Sequence, residues 1–186
     1  MSLLEARMAL YSEVRARIRT GDVIGTADKE ILSWLVRSST YGEVSHVAVV
    51  YRTAHVVELM EAVKVGWFEG RMDVTRLSNR VLEQNRRGGA IWWFPLRPDA
   101  RARLDEAALI ACLARQEGRK YDWWGAFCSA TIFRAKPDPH ELFCSESVAF
   151  GFVMGKLLPE TYNYSEATPV NVVALDLYDA PVQLVA

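Results

Sequence analysis

An α+β fold, an antiparallel sheet packed with helices, is predicted by three observations. Helical spacing of apolar residues marks both ends of the chain. Runs rich in β-branched residues crowd its middle, between Val44 and Leu96. No glycine-rich phosphate loop of the kind that opens a doubly wound sheet occurs, because Gly88-Gly89 follows Arg86-Arg87 without either phosphate-binding frame and reads as a turn.

The elements follow in order. Leu4, Met8, Tyr11 and Ile18, with Val14 or Arg15 between them, predict an amphipathic N-terminal helix within residues 1–20. Gly21-Asp22 stops it, Asp22 being read as a turn or cap group, and Val23-Ile24 begins a short strand. Asp28 is a fair N-cap for a helix to Ser38, with Ile31, Leu32, Leu35 and Val36 on one side. Val44–Tyr51 and Val56–Val63 predict two strands joined by a hairpin at Arg52-Thr53-Ala54-His55. That turn lacks Asn-Gly, so turn chemistry does not set its register. Val65–Phe68 and Ala90–Leu96 predict further strands. Pro98-Asp99 opens a long helical pattern over 99–117 that Gly118 ends. Helices over 122–133 and 145–157 are separated by Pro137 and Pro139, and two apolar runs beyond Pro169 predict a final strand.

Length and composition bound the function. The 186 residues suit one domain, spanning 1–186, and 51% apolar with 24% charged residues excludes disorder, collagen and coiled-coil arrays. Lys and Arg number 22 against 23 Asp and Glu, which gives no basic excess to recruit a nucleic acid. Glu5, Arg7, Glu13, Arg15, Arg17 and Arg19 interrupt any apolar stretch near the start. No signal peptide or membrane span is therefore expected, and the expected location is the cytoplasm. Cys112, Cys128 and Cys144 are too few and too evenly spread for a disulfide framework. They form no C-x-x-C pair, so a structural zinc site is not expected.

The nucleophile candidate is Cys144, in Phe143-Cys144-Ser145-Glu146-Ser147. Prolines precede it and an apolar helical run follows, which places the thiol near a helix N-terminus. There the dipole and unpaired N–H groups favour a thiolate and can hold an oxyanion. Cys112 and Cys128 lie inside helical patterns among Ala, Leu and Phe and read as small buried hydrophobes. A thiolate needs a base. Of the histidines at 46, 55 and 140, only His46, at the head of Ser45-His46-Val47-Ala48-Val49-Val50, has a structured setting. A third group should orient the imidazole from a neighbouring strand, and Glu58 and Glu61 are the candidates. Three positions apart, they face opposite sides of a regular strand, so only one can share a face with His46.

This order of His, acid and late Cys resembles the circularly permuted papain-like hydrolases of the NlpC-type superfamily, in particular the YiiX/YebB-like branch. Gly21-Asp22-Val23-Ile24 resembles the opening strand, Ser45–Val50 the histidine strand, and Met60-Glu61-Ala62-Val63 the Glu-Ala strand. Gly118-Arg119-Lys120-Tyr121-Asp122 resembles the Tyr-Asp element, and Phe143–Glu146 the nucleophile motif. Thr168-Pro169 falls where the family has a Pro-containing strand entry. The match runs in order over about residues 21–175; each motif alone is weak, the ordered set specific. It implies a permuted papain-like fold with Cys144 as nucleophile, His46 as base and Glu61 as third member. Lipid-acting relatives carry the third residue twelve positions after the histidine, which is Glu58 here. The Glu-Ala-Val context favours Glu61.

The resemblance implies a cysteine hydrolase that cleaves an amide in a peptidoglycan-type peptide and needs no cofactor. The alternative is thioester, ester or acyl-transfer chemistry on lipids by the same three residues. A structural part in a larger assembly, such as a phage particle, is a third reading. Tyr121 is a candidate to assist the oxyanion or, equally, a packed and hydrogen-bonded ring. Of Trp92 and Trp93, strand alternation would bury one and turn its neighbour to the other face.

Overall fold

Eight strands form a single sheet that organises the chain. This is seen in a computed structural model, which describes residues 3–27, 43–64, 69–122 and 144–186. The strands are β1 (Arg7–Leu10), β2 (Val23–Ala27), β3 (His46–Arg52), β4 (Val57–Lys64), β5 (Glu69–Arg76), β6 (Ala90–Phe94), β7 (Lys120–Asp122) and β8 (Val182–Val185). Their spatial order is β1-β8-β6-β2-β3-β4-β5-β7, antiparallel throughout except for β1 beside β8. The helices are α1 (Tyr11–Val14), α2 (Leu77–Arg86), α3 (Pro98–Arg103), α4 (Glu106–Gln116), α5 (Cys144–Met154) and α6 (Pro169–Val173). Sheet and helices together make the predicted α+β class.

Alternation along the strands separates two cores. Val23, Val47, Val49, Met60, Trp92 and Phe94 share one core with Leu109 and Leu113 of α4 and with Val148, Ala149 and Phe152 of α5. Ile24, Ala48, Val50, Leu59, Ile91 and Trp93 share the other with Leu77 and Val81 of α2 and with Val14 and Ile18. Because both faces are covered, Trp92 and Trp93 are both buried, at 5% and 1% exposure.

The structure departs from the sequence reading at four places. Residues 1–20 do not form the predicted amphipathic helix. Within them, Leu3–Glu5 is a 3-10 turn, β1 follows, and α1 lasts four residues. Met8 and Leu10 are exposed while Ala9 between them is buried, the period-two pattern of a strand. Parallel pairing with β8 selects that conformation, and a contact with the far end of the chain leaves no mark in local periodicity. The pattern over 99–117 is two helices, because the Asp105 carboxylate caps Ala108 N–H and restarts the chain as α4. Gly118 does end it, at φ 78°. Thr168-Pro169 enters a helix, not a strand: Thr168 and Asn171 form a reciprocal capping box on α6, and the predicted tail strand is β8. Finally, β5 and α2 were not predicted. The helix predicted from Asp28 to Ser38 and the strand Val65–Phe68 lie outside the described residues, as does the helix over 122–133 beyond Asp122, which ends β7.

Asp22 is more than a turn residue. It is 1% exposed and accepts hydrogen bonds from the N–H groups of Arg19 and Leu96 and from Trp93 Nε1, each at 2.9 Å, and from the Arg101 guanidinium. Burial pushes its pKa up, with Arg101 pulling against it. The carboxylate thereby ties the entry of β2 to β6 and α3. No helix among the described residues is long and apolar enough to cross a membrane.

Candidate active site

His46 opens β3, directly across from Thr26 of β2. Val49 pairs with Met60, and continuing that register sets Glu61 diagonal to His46 on the same face. Glu61 Oε2 lies 3.1 Å from His46 Nε2. Glu58, three residues earlier, faces the other side, in register with Tyr51 and Arg76. The partner of the imidazole is thus Glu61 and not Glu58.

Glu61 is 3% exposed, yet its surroundings are polar. Thr75 Oγ1 of β5 donates to Oε1, and Arg80 Nε of α2 stands 3.4 Å from Oε2. Burial pushes the carboxyl pKa up. The hydrogen bond from His46, the Arg80 charge and the Thr75 hydroxyl outweigh it and hold Glu61 below its ordinary value.

Cys144 is the first residue of α5 and is buried. Its helix packs on the sheet face opposite the one His46 shares with Ala48 and Val50, yet the two side chains are hydrogen-bonded. His46 is the first residue of β3, and Cys144 is the first described residue of α5. Burial pulls the His46 pKa down. The Cys144 thiolate, by its charge and its hydrogen bond, and Glu61 push it up to about 9. With Nε2 engaged by Glu61, the hydrogen bond to Cys144 falls to Nδ1.

Two serines that follow the thiol secure α5. Ser145 Oγ donates to the Ala167 carbonyl at 2.6 Å, and Ser147 Oγ donates to Gln116 Oε1 at 2.6 Å. Gln116 Nε2 in turn donates to Cys112 Sγ at 3.2 Å. Cys112 is buried, and burial pushes its thiol pKa up, which suits a structural residue. The first-turn N–H groups of a helix have no intrahelical acceptors and lie at the positive end of its dipole.

The remaining candidates divide. His55 is exposed in the β3–β4 turn, its carbonyl accepting from Arg15, away from the site. Cys128, His140, Trp123, Trp124 and the Tyr121 side chain lie outside the described residues. Thr75 and Arg80 were not anticipated. The signal for Arg80 was present: Leu77, Arg80, Val81 and Gln84 fall at positions i, i+3, i+4 and i+7, a core-facing stripe that includes two polar residues.

No family model and no curated protein matches the sequence. Among solved structures, the crystal structure of the metalloprotein YiiX from Escherichia coli O157:H7, of family DUF1105, is similar. The TM-score is 0.59 at 14% identity, over 89% of this chain and 95% of that one. At that identity the likeness is one of fold, and the chain has a YiiX-like fold.

Proposed function

We propose that the protein is a cysteine hydrolase in which Cys144, His46 and Glu61 act as nucleophile, base and orienting group. The observation that carries this reading is one imidazole placed between a buried carboxylate and a thiol at a helix start. The Cys144 thiolate attacks the substrate carbonyl carbon, and the carbonyl π electrons move to oxygen. N–H groups at the start of α5 stabilise that oxyanion. As the intermediate collapses, the scissile bond breaks and the leaving amine takes the proton held by His46, leaving a thioester. Neutral His46 then removes a proton from water, the hydroxide attacks the thioester, and the departing thiolate regains its place beside the imidazolium.

YiiX is described as a metalloprotein. Among the described residues of this chain, no group of three or more His, Cys, Asp or Glu side chains is placed to hold a metal ion.

The expected substrate is an amide in a peptidoglycan-type peptide. Contact of His46 with Glu61 in place of Glu58 supports this over lipid chemistry. Muropeptides and acyl esters offered to the purified chain, with products followed by mass spectrometry, test the assignment. Amide cleavage abolished by Cys144→Ala is expected. Turnover of the acyl ester alone would transfer the site to lipids, and turnover that survives Cys144→Ala would remove Cys144 from the mechanism.

A further inference from the structure

We propose that Arg80 is a positioning residue of this site, the fixed positive charge on α2 that keeps Glu61 an oriented carboxylate behind His46. The inference rests on the reading of Cys144, His46 and Glu61 as one catalytic unit.

A carboxylate that orients an imidazole must remain ionised, and at 3% exposure water does little to keep it so. Its hydrogen bonds are already allotted. His46 Nε2 takes Oε2 at 3.1 Å, and the Thr75 hydroxyl takes Oε1. Arg80 Nε reaches Oε2 only at 3.4 Å and is a buried nitrogen with no hydrogen-bond partner. Arg80 therefore acts on Glu61 through charge, not through a bidentate grip. Its outer nitrogen NH1 lies 3.8 Å from Glu83 Oε2, toward solvent. Leu77 and Val81, at 0% and 1% exposure, seat the helix against the sheet and fix the guanidinium where it is.

The charges along this line alternate: Cys144 thiolate, His46 imidazolium, Glu61 carboxylate, Arg80 guanidinium. Beside Glu61, β5 presents Asp73 in direct register, a like charge that Arg71 engages at 2.8 Å. Glu61 and Asp73 thus each have an arginine of their own. Without Arg80, Glu61 would face Asp73 with one cation fewer and accept a proton more readily. A protonated Glu61 no longer stabilises the imidazolium.

The test follows the Glu61 carboxyl carbon by NMR titration of the intact, isotope-labelled chain, the resonance being identified by its loss in Glu61→Gln. In Arg80→Gln the Glu61 midpoint should rise by about one pH unit or more, the usual effect of removing an opposite charge at this range. In Arg80→Lys, which keeps the charge, most of that rise should be absent. A folded Arg80→Gln with an unchanged Glu61 midpoint overturns the proposal, and so does an Arg80→Lys shift as large as that of Gln. Should Arg80→Gln fail to fold, the double variant Arg80→Gln/Glu61→Gln should fold, since the charge needing compensation is gone; a double variant that stays unfolded overturns the proposal as well. Failure of the catalytic reading shows separately, as a His46 midpoint that is the same in the wild type and in Cys144→Ala.

Discussion

His46 carries two opposing demands at the scale of one residue. Its side chain is 16% exposed, which disfavours charge, yet the thiolate and Glu61 raise its pKa to about 9. A folded-state pKa above the ordinary value of about 6.5 means that the imidazolium and its ion pair are complete below that ordinary value. The pair is lost as pH rises through about 9. The alkaline limb of kcat/KM should therefore have its midpoint near 9, because the proton that His46 gives to the leaving group disappears there. A midpoint near 6.5–7, where an ordinary imidazole titrates, would contradict the assignment. Glu61→Gln keeps the shape but removes the charge that orients the ring, and should lower kcat/KM by on the order of 10²-fold or more in steady-state assays.

At the scale of elements, α5 presents the thiol and two serines hold its first turns in place. Ser147→Ala would leave the buried Gln116 Oε1 without its donor, at a cost of about 1–3 kcal/mol in urea denaturation. A variant as stable as the wild type would mean that this contact does not fix α5. The body of α5 was legible in the sequence because an apolar helical run follows Cys144. The strand of His46 and the opposite facing of Glu58 and Glu61 were legible because period-two geometry leaves no alternative. Strand β5 was hidden because Glu69–Arg76 is mostly polar, its place in the sheet coming from pairing with β4 and β7. With β5 went Thr75, and with α2 went Arg80. The N-terminal segment shows the converse failure, where apolar residues at helical spacing are claimed by the partner strand β8. Local pattern records what a segment does alone, and these three segments are determined by distant partners.

At the scale of the molecule, sheet order sets the candidate site and the Asp22 hydrogen-bond cluster at opposite ends of one strand. Thr26, near the end of β2, faces His46, while Asp22 precedes its start and gathers donors from β6 and α3. Asp22→Asn would leave the Arg101 charge without its carboxylate, and should cost about 3–5 kcal/mol in thermal or denaturant unfolding. Cys144 reactivity in the folded fraction should be unchanged, and an altered reactivity there would show that the two ends are coupled. The central claim is that Cys144, His46 and Glu61 form one reactive unit. Its most direct measurement is the pH dependence of iodoacetamide alkylation, resolved cysteine by cysteine by peptide mapping. Cys144 should react readily at mildly acidic pH, where Cys112 does not. In His46→Ala its profile should revert to that of an ordinary thiol, rising near about 8.5. Equal, slow labelling of Cys112 and Cys144 in the wild type, or a Cys144 profile indifferent to His46, would contradict the account.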